Sequence, residues 1–241
     1  MRIHGGRPAA HAHVRVILFD IDGTLLRTGA GRRSMERALL TTFGTPGDPS
    51  YRYDGKTDRQ IIREAMRLAG FDDVTIDARR AETEALYVAA LREEVRVPDG
   101  AALLPGVREV VAAVRAHAGM VAGLLTGNVA EGAALKLHAV GLDPLQFVVG
   151  AFGSDHEMRA ELPAIARERA ESLLGRAISG EACVIVGDTP ADIHCGRGIG
   201  ARSVAVATGR YRREELASHG PHAVFDDLTD TMAVMATLER C

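Results

Sequence analysis

The stretch Val16-Ile-Leu-Phe-Asp-Ile-Asp-Gly-Thr-Leu-Leu26 decides the fold of this chain. Its first four residues, 16–19, are apolar, which is typical of a strand buried on both faces of a parallel sheet. Two acids follow, Asp20 and Asp22, and Gly23 permits a sharp turn of the backbone. Open α/β sheets bind ligands at the carboxyl ends of their strands. Two carboxylates about 4 Å apart repel each other by roughly 4 kcal/mol at an effective dielectric constant near 20, which predicts a cation beside them.

The composition is that of an ordinary globular protein and excludes several partners. The chain has 241 residues, of which 46% are hydrophobic and 25% charged. A net charge of −3 offers no basic field, so we expect no nucleic acid and no anionic membrane as a partner. No apolar run approaches the roughly 18 residues of a membrane-spanning helix. The three scattered cysteines favour a reducing compartment, and we expect a cytoplasmic protein.

The order of the sequence patterns predicts a core with an insertion. Residues 1–13 lack the apolar region of a signal peptide, and we interpret them as a flexible leader. Residues 32–97 carry apolar positions at helical spacing, which predicts three or four amphipathic helices. From Met120 onward apolar runs alternate with helical segments, which predicts βαβ crossovers. We therefore expect an α/β fold, a three-layer Rossmann-like parallel sheet made of 14–27 and 101–241, with a helical cap at 28–100.

A later strand end, Leu124-Leu-Thr-Gly-Asn128, offers groups that suit an anion. Thr126 carries a hydroxyl, and Gly127 presents an unhindered N–H at a predicted helix start. Asn128 and Glu131 have the spacing of a capping box. We favour that capping role for Asn128 over a ligand role.

Another strand end, Val184-Ile-Val-Gly-Asp188, supplies a further acid. Thr189-Pro190 fits the start of a helix, which puts Asp192 at its third position, where an acid favours the helix dipole. Asp188 precedes this helix start and has no comparable role in stabilising the helix. Because neighbouring parallel strands end side by side, we expect Asp188 to lie near the two acids of the first strand. Clustered carboxylates of this kind suit Mg²⁺.

The expected cation must come from arginine or from one of only two lysines, Lys56 and Lys136. Pro163 fits the first turn of a helix, so Arg159 is expected just before that helix, close to the strand ends. Its guanidinium could bind phosphate oxygens or a carboxylate. Lys136 lies eight residues beyond Asn128, roughly 12 Å along a helix, and we exclude it from the site on that distance.

Taken together, these motifs resemble those of the haloacid dehalogenase superfamily of phosphohydrolases. They are D-x-D-G-T at 20–24, the strand-end Thr-Gly-Asn at 126–128, the basic Arg159, and G-D-x-x-x-D at 187–192. The resemblance covers essentially the whole chain after the leader. The helical insertion resembles the type-1 cap of that superfamily, and Gly55-Lys-Thr-Asp58 is similar to phosphoglycolate phosphatase-like members. The third motif usually contains Lys, and here only Arg159 fits.

The resemblance implies a role for each matching residue. Asp20 would be the nucleophile that forms an aspartyl-phosphate, and Asp22 would protonate the leaving alcohol and then activate water. Mg²⁺ would be held by the Asp20 carboxylate, the Asp22 backbone carbonyl and Asp188. Asp192 would lie behind these groups and orient them.

The same resemblance implies a phosphate-binding set and a cap that selects the substrate. The phosphoryl group would be bound by Thr126, Gly127, Asn128 and Arg159, of which Thr126 and Arg159 also count as catalytic. In the cap, Lys56, Thr57 and Asp58 are the candidate substrate contacts. Further charged candidates there, each more often simply solvated, are Arg32, Arg33 and Arg59.

The most favoured function is a Mg²⁺-dependent phosphomonoesterase that acts on a small phosphorylated metabolite, as a monomer or homodimer. Asp22 argues against a dehalogenase, whose chemistry has no leaving alcohol to protonate. A phosphonatase that uses Lys56 for a Schiff base, and a phosphomutase, remain alternatives. A phospho-acceptor signalling domain is a different class, which the insertion and the length of 241 residues oppose.

Overall fold

The computed structural model describes residues 14–97 and 100–241. The predicted leader, 1–13, lies outside these described residues, and so do Pro98 and Asp99. In chain order, the helices and strands are β1 (Arg15–Phe19), β2 (Leu26–Thr28), α1 (Ala30–Phe43), α2 (Asp58–Leu68), α3 (Asp73–Glu94), β3 (Ala101–Leu103), α4 (Val107–Ala116), β4 (Met120–Thr126), α5 (Ala130–Ala139), β5 (Val149–Phe152), α6 (Leu162–Leu174), β6 (Cys183–Gly187), α7 (Pro190–Cys195), β7 (Arg202–Val206), α8 (Arg213–Ser218), β8 (Ala223–Phe225) and α9 (Thr231–Arg240).

Six strands form one parallel sheet in the order β5-β4-β1-β6-β7-β8. Strand β1 lies between β4 and β6, with Phe19 opposite Leu124 on one side and Val186 on the other. The apolar residues 16–19 are fully buried, as a strand covered on both faces requires. The predicted α/β class with a parallel sheet is confirmed.

Helices cover both faces of this sheet and give three layers. One face packs on apolar side chains from α4, α5 and α9, among them Val110, Leu137 and Leu238. The opposite face packs on α6 and α7, for example through Ala166 and Cys195. Because the strands are parallel, the carboxyl ends of β1, β4 and β6 meet at one edge of the sheet.

Helices α1, α2 and α3 form a separate apolar cluster, which we call the cap. Its fully buried side chains include Leu39, Ile62, Met66 and Tyr87. The strands β2 and β3 pair antiparallel where the chain enters and leaves the cap, with Leu26 opposite Leu103. Neither strand was predicted, because three residues are too few to show an alternating pattern. No helix within the described ranges has the length and apolarity to cross a bilayer.

Candidate functional site

Three buried carboxylates converge at the carboxyl edge of the sheet. Asp20 follows β1 and Asp188 follows β6, and these strands are paired neighbours. Asp192 reaches the same point from α7. One oxygen from each of the three lies within 4.8 Å of the others. All three residues are less than a tenth exposed, so their repulsion is poorly screened by water.

Arg159 is the one buried cation in contact with this cluster among the described residues. It begins a 3₁₀ turn, Arg159–Glu161, directly before α6, because Pro163 occupies the first turn of that helix. Its Nη2 atom lies 3.1 Å from Oδ1 of Asp20 and also bonds Oδ1 of Asp192. Burial opposes its charge, but the two carboxylates raise the pKa of Arg159 well above its ordinary value. The guanidinium therefore stays charged.

A single guanidinium leaves the carboxylate cluster with uncompensated charge. Burial raises the pKa of Asp20 to about 6, against the opposing effect of Arg159. Burial, followed by the charges of Asp192 and Asp20, raises the pKa of Asp188 well above its usual range. Such a donor set fits a divalent cation that prefers oxygen ligands. The structure thus provides carboxylates in excess of the cations that face them.

Both carboxylate oxygens of Asp192 already accept hydrogen bonds from protein groups. Its Oδ1 atom bonds Arg159, and its Oδ2 atom accepts from the backbone N–H (3.0 Å) and the hydroxyl (2.6 Å) of Thr189. Thr189 is the N-cap of α7 and Pro190 is its first residue, as predicted. Asp20 and Asp188 are therefore the carboxylates with oxygens left over for a metal ion.

Asp22 lies apart from these three and is bound by a lysine that we excluded. Lys136 Nζ lies 2.6 Å from Asp22 Oδ2 and 2.5 Å from Asn128 Oδ1. The sequence-based exclusion of Lys136 is wrong. The distance along the helix axis ignored the long side chain, which leans toward the N-terminus of its own helix, back toward the strand ends.

The capping role favoured for Asn128 is also wrong. Helix α5 starts one residue later, with Val129 as N-cap and no side-chain cap. The amide of Asn128 instead donates to Asp22 Oδ2 and to Thr126 Oγ1, both at 2.8 Å. The other half of the predicted capping box, Glu131, pairs with Arg92. Asn128 thus belongs to the site.

Thr126 and Gly127 lie at the end of β4, beside these groups. Thr126 is fully buried, and its hydroxyl accepts from the Asn128 amide. The carbonyl of Gly127 accepts from the backbone N–H of Asp58 in the cap, at 2.7 Å. A Cβ atom at position 127 would lie 2.0 Å from the carbonyl oxygen of Lys56, so only glycine permits this approach.

The cap closes over these residues and leaves a cavity of about 440 Å³. The sheet side contributes the predicted residues, and the cap contributes aromatic and charged ones. The core lining includes Asp20, Asp22, Thr126, Gly127, Asn128, Lys136, Arg159, Asp188 and Arg210; the cap lining includes Arg32, Tyr51, Arg52, Tyr53, Lys56, Asp58 and Tyr87.

Two of the three favoured cap residues line this cavity. Lys56 Nζ bonds the Tyr51 hydroxyl at 3.0 Å and also Glu64. Asp58 is buried, its carboxylate accepts from the N–H of Val129 at 2.8 Å, and burial raises its pKa to about 7. Thr57 does not line the cavity. It caps α2 and donates to the carbonyl of Glu157 at 2.6 Å.

The remaining cap candidates divide between cavity and surface. Arg32 lines the cavity, and its guanidinium carbon lies 4.7 Å from the centre of the Tyr53 ring. Arg33 and Arg59 do not line it and pair with glutamates at 2.8 Å. Tyr51 and Tyr53, which line the cavity, were not predicted as site residues. Their position just before Gly55-Lys-Thr-Asp58 is the feature of the sequence that could have indicated them.

Comparison with known proteins supports the resemblance. Residues 162–231 match a family model described as HAD-hydrolase-like. A search of curated proteins finds no match. The structure is similar to a hydrolase from Pseudomonas syringae, at 19% identity and a TM-score of 0.70, over 92% of this chain and 98% of that one.

Two further solved structures share the fold. A predicted phosphoglycolate phosphatase from Haemophilus somnus is 19% identical, with a TM-score of 0.68 over 94% of this chain and 100% of that one. CbbY from Rhodobacter sphaeroides, solved in complex with phosphate, is 21% identical, with a TM-score of 0.63 over 90% of this chain and 96% of that one. The family model thus supports the predicted resemblance to the haloacid dehalogenase superfamily over residues 162–231, and these solved structures share the fold over at least 90% of this chain.

Proposed function

We propose, on the basis of this resemblance and of the site, that the protein is a Mg²⁺-dependent phosphatase of a small phosphorylated metabolite. One observation carries the proposal: Asp20 lies at the floor of a capped cavity, held by Arg159 at 3.1 Å and flanked by Asp188. A buried nucleophile beside a fixed cation, under a cap, suits phosphoryl transfer, which depends on positioning and charge stabilisation.

The reaction proceeds in two transfers. One oxygen of Asp20 attacks phosphorus, the ester bond breaks, and Asp22 gives its proton to the departing alcohol. Water then attacks phosphorus of the aspartyl-phosphate, Asp22 takes the proton of that water, and inorganic phosphate leaves. The sum is one ester and one water converted into one alcohol and one phosphate.

The other groups of the site hold the reactants in place. Arg159 engages Oδ1 of Asp20 and leaves its second oxygen for attack. Thr126, Gly127 and Asn128 line the cavity beside Asp20 and are the proposed phosphate ligands. The carboxylates of Asp20 and Asp188, with the Asp22 carbonyl, are the groups that would hold Mg²⁺, which offsets phosphoryl charge when bound. Asp192 orients Arg159.

The cap supplies the choice of substrate. Lys56, Asp58, Arg32 and the two tyrosines surround the space left for the alcohol. A phosphonatase would need the nitrogen of Lys56 as a free amine to form a Schiff base, whereas here that nitrogen is hydrogen-bonded to Tyr51 and paired with Glu64. This pairing favours a phosphatase over that alternative.

Turnover of p-nitrophenyl phosphate with Mg²⁺ tests the proposal. The native protein should release nitrophenol continuously, and Asp20→Asn should lower the rate by at least about a thousandfold, because the nucleophile is lost. Asp226→Asn, at an exposed surface pair with Arg213, is the matched control and should retain the native rate. Comparable rates for the two variants contradict the assignment of Asp20.

The same assay separates the other classes. A single burst of product with stable labelling of Asp20 indicates a phospho-acceptor domain. With a sugar phosphate in place of p-nitrophenyl phosphate, transfer of the phosphoryl group to a second hydroxyl of the sugar, without release of inorganic phosphate, indicates a phosphomutase. Either result replaces the proposed function.

A further inference from the structure

Lys136 is a buried cation that the proposed reaction does not yet use. Its side chain is 4% exposed, although it comes from the second turn of α5. Its ammonium donates to Asp22 Oδ2 at 2.6 Å and to Asn128 Oδ1 at 2.5 Å. Removing an ammonium group from water costs several kcal/mol, which only good pairing offsets. The two short contacts of Lys136 provide that pairing.

Two donors converge on the same oxygen of Asp22. The amide of Asn128 donates to Oδ2 at 2.8 Å, beside the ammonium of Lys136. Across residues 14–97 and 100–241, no hydrogen bond to the other oxygen, Oδ1, is found. The Asp22 side chain is 41% exposed and lines the cavity. One oxygen is thus fixed and the other is left for the substrate.

The cap completes the surroundings of the ammonium. A Cβ atom at Gly31, near the start of α1, would lie 3.0 Å from Lys136 Nζ, so the cap backbone passes directly over it. Asp58 of α2 lines the same cavity as Lys136, and the charge of Lys136 opposes the rise in the pKa of Asp58. The Tyr87 hydroxyl of α3 also lies close to Gly31, at 3.9 Å from such a Cβ atom. The ammonium therefore contacts the Asp22 carboxylate of the core and faces the backbone of the cap at Gly31.

We propose that Lys136 is a positioning residue for Asp22. Together with Asn128 it fixes Oδ2, so that Oδ1 points to the leaving oxygen, and the closed cap completes this arrangement. The inference rests on the proposed function, in which Asp22 moves protons. Because geometry errors of about 1 Å can cost a hundredfold in rate, a fixed orientation matters to that step.

Leaving groups of different basicity test the inference. Lys136→Met keeps the length of the side chain and removes its charge. The quantity compared is kcat/KM, which reports the transfer from the ester and not the later attack of water, in which Asp22 serves both substrates alike. For an alkyl phosphate, whose alkoxide must be protonated, we expect kcat/KM to fall about 100-fold. For p-nitrophenyl phosphate, whose phenolate leaves unaided, we expect a fall of less than about fivefold. A merely structural defect lowers both rates equally, and equal losses overturn the proposal.

A double-mutant cycle asks whether Lys136 acts through Asp22. With the alkyl phosphate, Asp22→Asn and the double variant with Lys136→Met should be equally slow, because Lys136 has nothing left to position. Losses that multiply assign Lys136 an independent role and overturn the proposal. Arg92→Met is the matched control: it breaks another ion pair between the cap and α5, outside the cavity, and should retain both native rates.

The lysine content allows a test that needs no turnover. With only Lys56 and Lys136 in the chain, ¹⁵N-lysine labelling gives two side-chain signals by NMR. Asp22→Asn should shift the Nζ signal of Lys136 and leave that of Lys56, and Glu64→Gln should do the reverse. An unmoved Lys136 signal in Asp22→Asn overturns the ion pair, whereas a native protein inactive on both esters overturns the proposed function alone.

Discussion

At the scale of single residues, Asp58 shows how burial converts a carboxylate into a pH-dependent element. Its pKa rises from the usual 3.8 to about 7, chiefly through burial and in spite of Lys136. Between these two values the folded protein holds a proton that the unfolded chain has released. The stability gained from this proton is complete below the unfolded pKa and is lost as the pH rises through 7.

We therefore expect the free energy of unfolding to fall as the pH rises from 4 to 7, by up to about 1.4 kcal/mol per pH unit from this group. Asp58→Asn cannot ionise, so it should lose less stability over that range than the native protein. Urea unfolding at several pH values, without metal, measures the difference. A constant difference between the two proteins contradicts the raised pKa.

Asp48→Asn is a control of opposite sign. Asp48 is exposed, and its hydrogen bonds from Ser50 lower its pKa. Its contribution is present above the unfolded pKa and is lost as the pH falls. The Asp48→Asn variant should therefore weaken relative to the native protein as the pH rises.

The residue scale also marks how far the sequence could predict the site. Asp20, Asp22 and Asp188 were placed at strand ends because they follow apolar runs. The structure adds that Gly23 and Gly187 allow Asp188 and Asp192 to pack closely there. Lys136 was missed because spacing measures distance along a helix and not the reach of a side chain. Asn128 was assigned to a cap because its local pattern has two interpretations, and only the start of α5 at Ala130 separates them. Their functional roles remain predictions.

At the scale of elements, the hydroxyl of Thr57 links helix α2 of the cap to the core. It accepts from the N–H of Gln60 at 3.0 Å as the N-cap of α2, and it donates to the carbonyl of Glu157 in the core. Asp72 caps α3 in the same way, with Thr75 at 2.8 Å, but it is exposed. Thr57 therefore makes one hydrogen bond to the core, to Glu157, in addition to the N-cap bond that both residues make.

Alanine at these two positions measures that bond. Asp72→Ala should cost about 1 kcal/mol of unfolding free energy, as N-cap removal usually does. Thr57→Ala should cost about 2–3 kcal/mol, because it also removes the donor from the partly buried carbonyl of Glu157. Thr57→Ser keeps the hydroxyl and should recover most of the loss. Equal costs for the two alanine variants contradict a contribution from the bond to Glu157.

The elements themselves were predicted where a pattern is long enough to repeat. The strands of the main sheet follow from apolar runs, and the three cap helices from their spacing. The pair β2 and β3 follows from neither, since its strands have three residues each and form through tertiary pairing alone.

At the scale of the whole molecule, the charge left over at the carboxylate cluster predicts a dependence of stability on metal. Mg²⁺ at 100 times its dissociation constant should stabilise the native protein by about 2.7 kcal/mol. For a chain of this length that corresponds to a rise of roughly 5–10 °C in Tm. Differential scanning calorimetry with EDTA and with Mg²⁺ measures it.

Asp188→Asn removes one of the two available carboxylates and should abolish this rise. Asp226→Asn, which lies at an exposed ion pair, should keep it. A Tm of the native protein that is the same with EDTA and with Mg²⁺ contradicts the metal site, whatever the activity assays show.

The place of the cap in the chain also sets the order in which the molecule can assemble. Strand β1 is synthesised first but ends at the centre of the sheet, and its partners β4 and β6 begin only at Met120 and Cys183. During translation, both edges of the strand that contains the apolar residues 16–19 are therefore covered only after more than half of the chain has been synthesised. The cap helices, whose contacts are local, can fold in the meantime. Among the strands of the sheet, β1 thus keeps its edges uncovered longest during synthesis, and conditions that slow translation prolong this exposure and the risk of aggregation.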